Sequence, residues 1–227
     1  MSWFSRFWGP VLALLWKDIL LELRTKDIIV SMLVFALLVI VIFNFAISPT
    51  PQTVTYVAPG ILWVAFTFGG VLGLNRSFAL EKDRGNIHGL LLTPVGRDTI
   101  YFGKMLGNFL FMLIVEIIIF PVFAVLYNFS LLEPGLIPIA FLATLGISAI
   151  GTVFSAMAVN TRSREVMLPV LFFPVVAPVI IAAVEASGAV IRGDTGGDLT
   201  RWVSLLAVFD AVFLVVSPFA FNFIVED

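Results

Sequence analysis

Residues Ile28 to Ile47 read IIVSMLVFALLVIVIFNFAI, with no charged side chain and only Ser31 and Asn44 as polar interruptions. A run of about 20 apolar residues is what a helix needs to cross the roughly 30 Å hydrocarbon core of a bilayer. Lipid offers no partner to a backbone N–H or C=O, so the run predicts a spanning α-helix. Further apolar segments follow at Val57–Phe78, Thr99–Leu126, Ile137–Val159, Val166–Val184 and Trp202–Ile224. The third of the six would reach about 40 Å at 1.5 Å per residue, so it tilts or projects beyond the membrane. The fifth contains Pro169, Pro174 and Pro178. Each proline removes a helical hydrogen bond, so a kink or an incomplete crossing is expected there.

Composition supports the same class. The chain is 60% hydrophobic and 12% charged, with a mean hydropathy of +1.10. Soluble domains carry roughly 25% charged residues. The 13 Lys and Arg residues are spread thinly and the net charge is -2, so no basic stripe exists to neutralise a nucleic acid. The absence of cysteine removes disulfides, thiolate metal sites and cysteine nucleophiles together. The start resembles a signal peptide only briefly. Lys17 and Asp18 end the apolar run after Trp16 and no small-residue cleavage site follows, so no cleaved leader is expected.

The fold class is therefore all-α: a polytopic membrane protein of six transmembrane helices. Residues 1–27 form an N-terminal amphipathic interfacial helix ahead of a 28–227 transmembrane domain. Leu12, Leu15, Trp16, Ile19, Leu20 and Leu23 fall on one helical face, and Lys17, Asp18, Glu22, Arg24 and Thr25 on the other. Such a helix lies in the headgroup plane of the bilayer. Of the 13 Lys and Arg residues, only Arg192 and Arg201 belong to links on the opposite side, so both termini are expected in the cytoplasm. The glycine-rich 185–201 link, with Asp194 and Asp198, reads as a mobile outer loop.

The most informative cytoplasmic segment is EKDRGNIHGLLLTPVGRDTIYFGK, Glu81 to Lys104. A charged cluster from Glu81 to Arg84 ends the second span and Gly85 permits a turn. Asn86 is suited to cap a short helix exposing Ile87, Leu90 and Leu91, which Thr93-Pro94 stops. Asp98 suits the N-cap of the third span. A short apolar helix held between two long membrane helices, over the 81–98 segment, has the form of a docking element for a soluble partner. The competing reading is an ordinary loop on the membrane surface.

The acidic–basic–Gly pattern, the leucine-rich turn, Thr93-Pro94, Arg97 and the downstream Gly103-Lys104 resemble the permease subunits of ABC-2-type exporters. The closer resemblance is to the cytochrome c maturation B family, the permease of the haem exporter system. It spans WKDILLELRTKD (16–27), VAPGILWVAFTFGGVLGLNRSFALEKDRGNIHGLLLTP (57–94) and NTRSREVMLPVLFFPVVAPVIIAA (160–183). The resemblance implies that the short helix docks in a groove of a separate ATP-binding cassette subunit. Glu81, Arg84, Gly85, Ile87, Leu90, Leu91 and Pro94 would be its coupling residues. It further implies a homodimer in the bacterial inner membrane, working with haem-handling membrane proteins and a haem chaperone. ATP would bind in the partner and haem would be cargo, with no cofactor held by this chain.

Other candidates are weaker. His88, the only histidine, lies in the cytoplasmic loop, on the wrong side for haem attachment. No second histidine exists for a zinc site and no phosphate-cradling glycine loop is present, so neither a metal centre nor an active site is expected. Trp3, Trp8, Trp16, Trp63 and Trp202 are dispersed, mostly as interfacial anchors. Glu116 and Asp210 are carboxylates at membrane depth, where charge is costly; hydrogen bonding to a neighbouring helix is favoured over a polar path. Gly69 and Gly73 give a G-x-x-x-G packing spacing. The rival functions are an ABC-2 permease for another cargo such as a lipid-linked glycan, a non-transporting membrane scaffold, and an ion-coupled transporter using Glu116 and Asp210.

Overall fold

A computed structural model describes residues 3–47, 51–83, 95–128, 133–159, 161, 163–194 and 196–224. Among them the regular structure is entirely helical. The helices are α1 (Trp3–Thr25), α2 (Asp27–Ile47), α3 (Pro51–Asp83), α4 (Arg97–Tyr127), α5 (Leu136–Val159), α6 (Arg164–Ile191) and α7 (Gly197–Ile224). Helices α2 to α7 are each long and apolar enough to cross a membrane.

The bundle is built around α3 and α5. Each packs on four of the other helices, and both are far more buried than α2 or α7. Small side chains make this possible. Gly69 and Gly73 of α3 face Met32, Ala36 and Ile28 of α2, so the G-x-x-x-G spacing serves the α2–α3 contact. Polar side chains then tie α4 and α3 to α5. Asn108 Nδ2 donates to Thr152 Oγ1 at 3.0 Å and Tyr101 Oη to the Ala149 carbonyl at 3.1 Å. Ser155 Oγ donates to the Leu74 carbonyl. Where water is absent, such bonds hold helices in register.

Several boundaries depart from the sequence expectations. The fifth span does not break. Despite Pro169, Pro174 and Pro178, α6 is one helix of 28 residues, about 42 Å long at 1.5 Å per residue. The expected 185–201 outer loop is mostly helix: α6 runs to Ile191 and α7 starts at Gly197. Ala186, Ser187 and Ala189 are buried, small enough to let α6 continue against its neighbours. The stop signal is Gly193, at φ +72°. Its N–H donates to the Val190 carbonyl and that of Asp194 to the Ala189 carbonyl, the paired bonds of a Schellman cap. Residues 51–56, ahead of the apolar segment expected from Val57, also belong to a helix, because Pro51 opens α3.

Trp63 is a further correction. It is 1% exposed, not an interfacial anchor, and its Nε1 donates to Ser187 Oγ of α6 at 2.9 Å. Trp16, by contrast, is 60% exposed.

Candidate functional site

Helices α3 and α4 bracket the segment singled out by sequence. With 33 and 31 residues they reach about 50 and 46 Å, well beyond a roughly 30 Å hydrocarbon core. Arg84, Gly85, Ile87, His88, Leu90, Leu91 and Pro94 lie outside the described residues, and Glu81 falls in the last turn of α3. What the structure describes is the frame that holds this segment.

The frame starts at the foot of α4. Gly96, not Asp98, is its N-cap, and the N–H groups of Thr99 and Ile100 donate to the Gly96 carbonyl at 3.0 and 3.3 Å. Asp98 sits in the first turn, where a carboxylate complements the helix dipole. Its Oδ1 accepts from Asn222 Nδ2 of α7 at 2.6 Å, while Arg97 Nη1 donates to the Asn222 carbonyl at 3.3 Å. The end of the last span is thus fastened to the start of the third.

Two turns further along α4 is a buried charge. Lys104 is 2% exposed, and its Nζ lies 3.0 Å from Asp18 Oδ2 of α1. The same Nζ is 3.3 Å from Asp18 Oδ1 and donates to the Ser77 carbonyl of α3 at 3.4 Å. Gly103 and Gly107, on either side of Lys104, let α1 approach. A Cβ on Gly103 would meet Leu14 Cβ at 2.8 Å, and one on Gly107 would meet Asp18 Oδ2 at 3.6 Å.

Glu22 completes the frame. Lys26, at φ +57°, ends α1 and lets α2 leave in a new direction. The Glu22 carboxylate reaches across this one-residue corner. Oε1 accepts from the Ile29 N–H at 2.8 Å and Oε2 from the Ile28 N–H at 3.3 Å. It satisfies two of the N–H groups that the first turn of any helix leaves open. Asp18 and Glu22 therefore do not share an exposed polar face with Lys17 and Arg24, as the sequence spacing suggested. They point into the protein because α4 and α2 offer them a cation and a helix N-terminus. Leu12, Trp16, Leu20 and Leu23 remain exposed.

The intramembrane candidates lie away from this frame. Glu116 Oε1 accepts a hydrogen bond from Thr144 Oγ1 of α5, and Oε2 has no partner among the described residues. Glu116 lines a void of about 10 Å³ with Met32, Phe66, Met112 and Thr144, room for roughly one water. Asp210 of α7 packs its Oδ1 over Gly146 of α5, and neither oxygen has a partner among the described residues. The two carboxylates meet different sides of one helix and are not brought together. A larger cleft of about 550 Å³ opens between α2, α3 and α6. Phe35, Phe68 and Phe173 line it, with Asn75, Arg76 and Glu165.

Sequence reasoning missed Asp18, Glu22, Gly103, Gly107 and Ser77 as a set. The signal was present in Gly103-Lys104-Met105-Leu106-Gly107, a second G-x-x-x-G spacing, here enclosing a charge. A model of the family described as CcmB protein matches residues 10–226. The chain belongs to the CcmB family.

Relatives of the CcmB type extend over nearly its whole length. Heme exporter protein B of Paracoccus denitrificans is 30% identical over 92% of this chain and 94% of its own. The protein of that name from Bradyrhizobium diazoefficiens is 28% identical over 92% and 93%. The one from Escherichia coli K12 is 32% identical over a shorter stretch, 42% of this chain. The CcmB match takes in all of the frame residues, from Asp18 to Asn222. Together with the six apolar helices, it makes the chain a multi-pass protein of the bacterial inner membrane.

Proposed function

We propose that this chain is the permease subunit of an ABC-type exporter serving cytochrome c maturation. In this reading two copies form the membrane core and two ATP-binding cassette subunits dock on segment 81–98. Nucleotide binds and is hydrolysed in those subunits, and this chain binds no cofactor of its own. Closure of the ATPase pair pushes on the coupling helix, and α3 and α4 carry the displacement into the bundle. The output is haem export or release of a haem-loaded chaperone. Haem-handling membrane proteins complete the assembly.

The observation that carries this reading is the pair α3–α4. Both helices exceed the bilayer; α4 is braced to α1 and α7 beside the segment that joins them, and α3 is tied to α4 through Ser77 and Lys104. A push on that segment therefore reaches several helices at once. Neither a scaffold nor an ion-coupled carrier requires such a frame. The cargo rests on the relatives, which carry the name heme exporter protein B over more than nine-tenths of this chain. The orientation rests on the bias of Lys and Arg, which puts both termini and segment 81–98 in the cytoplasm. In the same frame α1 lies along the interface, with Leu12, Trp16, Leu20 and Leu23 toward acyl chains and Lys17 and Arg24 toward headgroups.

The test is capture of the ATPase subunit by the tagged chain from solubilised membranes, followed by addition of ATP. An ATP-binding cassette protein is expected to co-purify, and ATP to release bound haem or its chaperone. A chain that purifies without any ATPase, or a complex whose bound cargo ignores ATP, contradicts the proposal.

A further inference from the structure

The foot of α4 carries a buried ion pair with three mechanical connections. Lys104 Nζ holds Asp18 of α1 through both carboxylate oxygens, at 3.0 and 3.3 Å, and reaches the Ser77 carbonyl of α3 at 3.4 Å. It also lies 5.4 Å from the centre of the Phe78 ring. Gly103 and Gly107 bring the backbones of α1 and α4 together on either side of the pair. Ser77 and Lys104 sit on the two helices that bracket segment 84–94, Lys104 seven residues after α4 begins at Arg97.

We infer that the Asp18–Lys104 pair makes α1 and α4 one moving body, so that displacement of the coupling segment is carried to α1 in the ATP-driven step. The inference rests on the permease reading given above. An ion pair that is also hydrogen-bonded is directional and fixes register, whereas apolar contact resists separation but permits sliding. The tie to α1 is to an opposite charge, through both carboxylate oxygens. The contacts with α3 are to neutral groups, the Ser77 carbonyl and the Phe78 ring, and a lysine stem is flexible enough to keep the first while releasing the second. α3 is thus the helix that shifts against the joint, and α1 the one that follows α4. Asp18 and Lys104 are positioning residues: they act on cargo only through the helices they hold.

The chain has no cysteine, so two introduced thiols are the only ones present. Leu14→Cys with Gly103→Cys sets them at the crossing, where a Cβ on residue 103 lies 2.8 Å from that of residue 14. A disulfide holds its Cβ atoms about 3.5–4.5 Å apart, so the helices must yield by about 1 Å there; any side chain at 103 forces that shift, so the reduced double variant carries it too and is the reference. The measurement uses the full chain in its assembled complex, with co-purified ATPase, ATP hydrolysis and haem released per ATP as three separate readouts. With the bridge closed, release per ATP is expected to stay within about twofold of the reduced sample. In the background Asp18→Leu/Lys104→Met, the ATPase is expected to co-purify while release per ATP falls at least about tenfold. Closing the bridge in that background is expected to restore it.

Two results overturn the joint. One is a closed bridge that stops release in the otherwise unaltered chain, which means α1 and α4 must part during turnover. The other is Asp18→Leu/Lys104→Met releasing cargo as well as the parent, which means the pair only fills space. If the charge variant fails to assemble, the bridge in the unaltered background still decides. Failure of the unaltered chain to capture an ATPase is a separate result and refutes the permease reading itself.

Discussion

Glu116 and Asp210 are the two carboxylates at membrane depth, and α5 receives both. Thr144 supplies Glu116 with a hydrogen bond, whereas Asp210 is laid over the bare backbone at Gly146. Gln at 116 keeps the carbonyl oxygen that Thr144 needs, and Asn at 210 keeps the volume over Gly146. Glu116→Gln and Asp210→Asn are therefore expected to leave chain level and holocytochrome yield within about twofold. A tenfold loss of holocytochrome at normal chain level would make either carboxylate part of a polar path. Trp63 gives a stability prediction. Trp63→Phe removes the donor to Ser187 and a small part of the ring volume and should cost about 1–2 kcal/mol. Trp63→Ala leaves a cavity as well and should cost about 3–5 kcal/mol. Thermal denaturation in detergent should rank them in that order. His88→Ala is expected to leave co-purifying haem unchanged, because on the proposed topology it lies on the cytoplasmic face. Loss of the haem absorption band from an assembled complex would contradict that. Lys104 and Asp18 were the residues least legible from sequence. They are 86 positions apart, and no local pattern pairs a charge on α1 with one on α4.

Glu22 shows how one helix specifies the direction of the next. Its carboxylate caps α2 across the corner at Lys26. Glu22→Ala should cost about 1 kcal/mol, the usual loss for an N-cap. The added prediction is local: cleavage by trypsin at Arg24 and Lys26 should accelerate several-fold relative to other sites. Unchanged digestion would mean that α1 is positioned without Glu22. The spans themselves were legible, because hydropathy over about 20 residues is dictated by the bilayer and not by neighbouring helices. Their ends were not. Ala186, Ser187 and Gly188 look like loop residues in isolation, but small side chains are what a helix needs to press against others. The prolines of α6 misled for a related reason, since neighbours can support the backbone groups a proline frees.

At the scale of the whole molecule, charge bias predicts the topology. Reporter fusions at Asn86 and Arg162 should read cytoplasmic and one at Asp194 external; a cytoplasmic Asp194 would overturn the six-span arrangement. The candidate site was legible as a segment but not as a machine. The sequence pattern marks residues 81–98, whereas the frame of Asp18, Glu22, Lys104, Asp98 and Asn222 depends on four helices meeting at one end of the bundle. The central claim is that this frame serves a coupling helix docked on a separate ATPase. Leu90 and Leu91 form the apolar pair expected to fill the partner's groove, and placing charge in a dry contact costs several kcal/mol. Glu81 matters less for binding, since exposed ion pairs contribute about 0–1 kcal/mol. Glu81→Ala should thus retain the ATPase and lower turnover. The most direct measurement is capture of the ATPase by Leu90→Asp/Leu91→Asp, compared with the unaltered chain at equal membrane level. The double variant should insert normally and lose at least about nine-tenths of the bound ATPase; capture at the unaltered level would contradict docking through this segment.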